Sequence, residues 1–168
     1  MAVDHRIAIR SLLGTSSRSA RELAENLGIS QPTVSRALST LGDDLIRFGP
    51  YQSIQYALRR PLLAKASIPV FRVTQEGRLD KLGDLTPVQP HGYVMTEASG
   101  KTSLSEGFPW WLHDMWPQGF LGRAMVAAQA SGLGLPERLG DWQEEYVLRA
   151  LLSPFGADAV GNLLLGEW

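Results

Sequence analysis

The stretch Ser19–Leu41, SARELAENLGISQPTVSRALSTL, constrains what this chain can fold into more than any other part of it. Leu23, Leu27, Val34 and Ala37 recur so that two short helices can bury one shared face, and Ile29 fills the corner between them. Ala24 is small enough for the second helix to cross closely above it. Gly28 can take the left-handed conformation that ends the first helix after about two turns. Ser30 is placed to cap the next helix, and Pro32 is tolerated in its first turn, where amide hydrogens have no partner inside the helix. The spacing predicts a helix-turn-helix, whose second helix reads DNA.

The flanks extend this unit. Asp4–Leu13 carries Ile7, Ala8, Ile9, Leu12 and Leu13 at helical spacing behind a capping Asp4. Beyond Gly42-Asp43-Asp44, the β-prone runs Leu45–Phe48 and Ser53–Leu58 flank Gly49-Pro50 and predict a hairpin with its tip at Gly49–Gln52. Three helices and a hairpin predict a winged helix-turn-helix over residues 1–60. Val34, Ala37, Leu38 and Leu41 take the buried stripe of its second helix. Gln31, Thr33, Ser35, Arg36 and Ser39 are left as candidate DNA contacts, against the simpler reading of a solvated helix face. Glutamine suits a bidentate contact with adenine and arginine one with guanine or phosphate, while Thr33 at the helix start suits phosphate.

Charge divides along the same line. Residues 1–60 carry eight arginines against five carboxylates, and residues 61–168 eight basic groups against twelve, giving formal charges of +3 and −4. DNA contact is therefore expected in the first part, with a homodimer or larger complex adding phosphate contacts. No apolar run approaches the roughly 18 residues of a membrane span, and no signal-peptide pattern is present. The absence of cysteine excludes disulfides and thiolate metal sites. A cytoplasmic protein is expected.

Arg59-Arg60-Pro61 marks a boundary, with the basic pair reading as a solvated linker, and an apolar connector follows over 62–67. Residues 61–168 form the second expected domain, with antiparallel strands at 68–74, 78–85, 91–97 and 101–104. Phe108–Phe120 holds three of the five tryptophans and reads either as core or as an interface centre. A helix is expected over 120–130, packing through Leu121, Met125, Val126 and Ala128. Asp141 and Glu144 have capping-box spacing for a second helix. A turn-rich connector at 156–162 and a final strand at Leu163–Leu165 complete an α+β fold. His5, His91 and His113 lack ligand spacing, and no Gly-x-Ser-x-Gly elbow, phosphate loop or dinucleotide fingerprint occurs. No catalytic residue, metal or cofactor is expected, and the chain is not read as an enzyme.

Over about residues 60–168 the chain resembles the N-terminal subdomain of HipA-family kinase toxins, in the YjjJ-type variety where a helix-turn-helix precedes it. The resemblance rests on Trp116-Pro117-Gln118-Gly119-Phe120-Leu121-Gly122-Arg123, Gly134-Leu135-Pro136, Trp142, and Gly156-Ala157-Asp158 through Gly161-Asn162-Leu163-Leu164-Leu165-Gly166-Glu167. A HipA-type kinase continues into a domain with a phosphate-binding loop and a catalytic aspartate, whereas this sequence stops at Trp168. In split toxin–antitoxin systems of the HipBST kind, such a HipS-like subdomain is a separate protein that silences the kinase through an aromatic residue. The resemblance thus implies an antitoxin. Residues 1–60 would bind operator DNA and autorepress transcription, and residues 61–168 would dock on a HipA-like Ser/Thr kinase toxin. Trp110, Trp111 and Trp116 are the candidate partner-binding residues. Two other readings stand beside it: a stand-alone winged-helix regulator with a ligand-sensing second domain, and the N-terminal part of a complete HipA-family kinase.

Overall fold

A computed structural model describes residues 4–63, 65–159 and 161–167. Ala64 and Val160, which fall in the two expected connectors, and Trp168, where the sequence stops, lie outside the described residues. The chain forms two compact units, Met1–Ser67 with Thr86–Gly107 and Ile68–Leu85 with Phe108–Trp168. The fold is α+β, with helices leading and antiparallel strands and further helices following.

In the first unit, helix α1 (His5–Leu13) starts at Asp4, whose carboxylate accepts from the Arg6 amide and guanidinium. The Arg6 side chain holds that carboxyl down at about 2. Helix α2 (Ala20–Leu27) ends at Gly28, which sits at φ 63° and ψ 34°. Helix α3 (Gln31–Ser39) follows after one short corner. Ile9, Leu13, Leu23, Val34, Leu38, Leu41 and Leu58 are buried together, with Leu27, Ile29 and Ala37 packed against them. The core expected for the two helices of the helix-turn-helix is present at Leu23, Leu27, Ile29, Val34 and Ala37, whereas Ile7 of α1 is exposed.

Strands β1 (Leu45–Phe48) and β2 (Gln55–Leu58) pair antiparallel from Leu45↔Leu58 to Phe48↔Gln55. Alternation along a strand sends neighbouring side chains to opposite faces. Leu45, Tyr56 and Leu58 meet the helical core. Ile46, Phe48 and Ala57 turn the other way and are buried with Val88 and Val94, against which Leu104 packs. That second apolar face explains why the compact unit reaches past residue 60. It recruits the end of β4 (Leu79–Val88), β5 (Gly92–Glu97) and β6 (Thr102–Glu106). Backbone bonds from Arg60 N to Pro87 O and from Gln89 N to Leu58 O tie the ribbon to that layer, and Gly49 N donates to the Thr102 hydroxyl at 2.8 Å.

In the second unit, β3 (Ile68–Val73) lies between the early part of β4 and β7 (Leu163–Leu165). A bulge between Val70 and Phe71 shifts its register against β4. Among the described residues four α-helices precede β7: α4 (Trp110–His113), α5 (Gly119–Gln129), α6 (Glu144–Leu151) and α7 (Phe155–Asp158). Three local expectations change here. The Asp141–Glu144 capping box does not form, and α6 starts at Glu144 behind Gln143. Trp142 is drawn into the interior, its indole N–H donating to Pro136 O at 2.7 Å, and its extended backbone delays the helix. Residues 156–158 of the expected connector are helical, forming the rest of α7 after Phe155. Leu121 and Ala128, expected to pack, face solvent.

Gly156 tests how tightly this corner is closed, because a Cβ there would collide with the Leu151 carbonyl, whereas one at Gly140 meets nothing. Gly156→Ala should destabilise the chain by about 1–3 kcal/mol in chemical denaturation, and Gly140→Ala should leave the midpoint unchanged.

Candidate nucleic-acid interface

The start of α3 is built by its own sequence. The Ser30 hydroxyl accepts from Thr33 N and lies 2.9 Å from the Thr33 hydroxyl. Pro32 occupies the first turn, where it costs no hydrogen bond. Val34 and Leu38, both buried, hold the helix down and fix which residues face out. Gln31, Ser35 and Ser39 follow each other at i, i+4 along one ridge, with Arg36 beside them.

The five predicted contacts divide accordingly. Gln31, Ser35 and Arg36 are exposed, and no side-chain hydrogen bond or ion pair engages them among the described residues. Thr33 is half-buried and tied to the cap, and the Ser39 hydroxyl donates to Arg36 O at 2.7 Å. Gln31, Ser35 and Arg36 therefore have the most freedom to reach a base edge.

Few of the eight arginines in residues 1–60 remain available. Arg6 pairs with Asp4 at 2.7 Å, Arg10 with Asp44 at 2.8 Å and Arg21 with Glu25 at 2.8 Å. Arg59 donates to Ala66 O, and Arg60 lies over the Tyr93 ring. Arg36 on α3 and Arg47 on β1 are exposed and unpaired among the described residues. Arg47 was not among the sequence candidates; it shares the face of Leu45 and Tyr56 but is exposed. Tyr51, 90% exposed, was also missed. It stands on a 3-10 turn, Tyr51–Ser53, that carries the wing tip past Gln52. Gly49 opens the tip at φ 93°, where a Cβ would press on the Ser53 carbonyl.

Helix α2, against which α3 packs, begins with a reciprocal cap. Glu22 accepts from the Ser19 amide and hydroxyl at 2.7 Å, and Glu22 N donates back to the Ser19 hydroxyl at 3.2 Å. The Ser19 amide, then its hydroxyl, hold the Glu22 carboxyl below the ordinary glutamate range.

In the second unit the three tryptophan candidates part company. Trp116 is half-buried, stacked on His113 and edge-on to Phe108 at 5.6 Å between centroids. Trp111 is half-buried, while Trp110 is 78% exposed. Phe120 and Leu121, at 77% and 72%, join Trp110 as exposed large apolar side chains. With Ala124 and Ala128, also exposed, they leave the open side of α5 apolar apart from Arg123. A groove of about 280 Å³ runs beside Leu121, lined by Met115, Trp116 and Met125. The tryptophan density thus serves both packing and surface. Among the described residues no helix is long and apolar enough to cross a membrane, and no group of histidines and carboxylates could hold a metal.

Residues 64–168 match the family described as YjjJ-like toxin, middle domain, and residues 4–44 match that described as bacterial regulatory protein, arsR family. The chain is 41% identical over 160 residues to a protein of Escherichia coli (strain K12) named Toxin YjjJ. The match takes in 95% of this chain and 36% of that relative, so the chain spans about a third of the relative's length. No solved structure matches. These findings overturn the antitoxin expectation and the kinase inhibition that went with it: the relative carries the name of a toxin, and the matched domain is a toxin's.

Because the Glu22 carboxyl is held low in the folded chain, its contribution is present above the ordinary glutamate range and is lost as pH falls below that range through the lower value of the folded state. Glu22→Gln should flatten the acid side of the melting-temperature profile, and Ser19→Ala should cost about 1 kcal/mol at neutral pH.

Proposed function

The chain belongs to the YjjJ-like toxin family through its middle domain, and from that premise we propose that it is the DNA-addressing and internal part of such a toxin, acting by binding rather than catalysis. The observation that carries the first half is the outer face of α3. Gln31, Ser35 and Arg36 stand unengaged on a helix fixed by Val34 and Leu38, and Arg47 and the wing tip belong to the same unit. A helix so presented enters the major groove, with arginine on guanine or phosphate and glutamine on adenine. The target is a specific duplex site in the cytoplasm.

The second half concerns residues 64–168. What supports it is that Trp110, Phe120 and Leu121 are large apolar side chains left exposed, of the kind that marks an interaction surface where they adjoin. In this reading they pack against the remainder of the toxin polypeptide. The HipA-like Ser/Thr kinase, expected from sequence as a separate partner, is then that remainder.

In a duplex selected from a random library, Arg36→Ala should weaken binding by about 1–3 kcal/mol and relax preference at one base pair. Arg47→Ala should weaken binding to all sequences alike and reduce the salt slope by about 1. Unchanged specificity in the Arg36 variant would remove α3 as the reading helix. Replacing Phe120 and Leu121 with serine should leave the denaturation midpoint of the chain within about 0.5 kcal/mol while lowering its binding of an apolar dye.

A further inference from the structure

We propose that a cavity inside the first unit is an effector site for a small organic amine. The cavity, about 300 Å³, lies where Ser16 and Ser17 of the α1–α2 turn meet Gln89 of the β4–β5 turn and Glu106 at the end of β6. Its apolar floor is Val88 and Leu104.

The lining chooses the ligand. Ser16, Ser17 and Gln89 are half-buried, and their side chains have no hydrogen-bond partner among the described residues. Their hydroxyl and amide groups are open to solvent beside the exposed Glu106 and free to bond a ligand in place of water. The Glu106 carboxylate makes no ion pair among the described residues, no lysine or arginine lines the cavity, and its one imidazole is His91. A phosphate or carboxylate would meet Glu106 with no arginine or lysine to offset the repulsion. An ammonium group instead donates to the carboxylate and to the hydroxyl and amide oxygens. The floor accepts a hydrocarbon body, and the volume sits at the small end of ligand pockets.

The cavity also touches what holds the DNA-reading elements. Ser17 is followed by Arg18, whose backbone exchanges hydrogen bonds with Tyr56 of β2 at 3.0 and 2.8 Å, and then by Ser19 of the α2 cap. Val88 is buried with the wing residues Ile46, Phe48 and Ala57, and Leu104 packs against that cluster. A ligand on Ser16, Ser17, Val88 and Leu104 therefore bears on both α2 and the wing. This effector role rests on the DNA-binding reading above, whereas the amine site itself does not.

The test uses phenethylamine, with 2-phenylethanol and 3-phenylpropionate as its neutral and anionic counterparts, titrated into the 168-residue chain and followed by amide NMR. Phenethylamine should give saturable shifts at Ser16, Ser17 and Glu106 and bind about tenfold more tightly than the alcohol. The acid should give none. Glu106→Gln should reduce the amine to the level of the alcohol, and Ser17→Leu, which fills the cavity, should abolish the shifts in a chain that still melts cooperatively. Bound amine should change duplex affinity by about fivefold or more, and duplex should change amine affinity by the same factor. Absence of saturable shifts with phenethylamine, or equal binding of all three probes, overturns the site. Equal duplex affinity with and without bound amine overturns the effector role. Failure to bind any duplex removes that role together with the DNA reading, while the amide shifts on the free chain still decide the site.

Discussion

A two-stranded ribbon with apolar side chains on both faces cannot stand in water, and the first unit is arranged around that constraint. The ribbon β1–β2 presents Leu45, Tyr56 and Leu58 to the helices and Ile46, Phe48 and Ala57 to the opposite side. Covering only the helical face would leave a row of large apolar groups exposed, at about 25 cal/mol for each Å². The end of β4 with β5 and β6 supplies the missing layer. The wing of this protein is therefore an inner layer with an exposed tip. Its Tyr51 and Arg47 are held on a ribbon clamped from two sides, which gives them a fixed position from which to meet a duplex.

How much of this was legible in the sequence depends on the reach of each interaction. Gly28, Ser30 and Asp4 act on residues within four positions of themselves, so their roles could be read directly and are found as expected. The buried stripe of α3 was legible for the same reason. The outer face of the ribbon was not, because Ile46 and Phe48 find their cover about forty residues downstream at Val88 and Val94. Asp141 had the right spacing for a cap and lost it to Trp142, whose indole N–H found Pro136 O. Leu121 was apolar at a helical position, yet periodicity cannot say whether anything stands opposite it. Of the candidate DNA contacts, the exposure of Gln31, Ser35 and Arg36 was legible from the stripe they avoid, whereas the engagement of Thr33 and Ser39 with neighbouring oxygens depends on the folded turns around them.

Formal charge misleads in the same way. The excess of arginine over carboxylate in residues 1–60 suggests a broadly cationic surface, but Arg6, Arg10 and Arg21 are met by Asp4, Asp44 and Glu25. What is left over for a polyanion is concentrated at Arg36 and Arg47. A surface with so few free cations would hold non-specific DNA weakly and depend on fit at the helix.

The clamped ribbon has a consequence in time. A ribosome that has released residues 1–60 has made every helix and both strands of the winged unit, but not the layer that shields Ile46 and Phe48. That layer is complete only after Glu106 has left the exit tunnel. Through that interval the nascent chain carries an open apolar ribbon and an unfinished winged unit. That unit is thus closed late, when much of the domain that follows it is already being made.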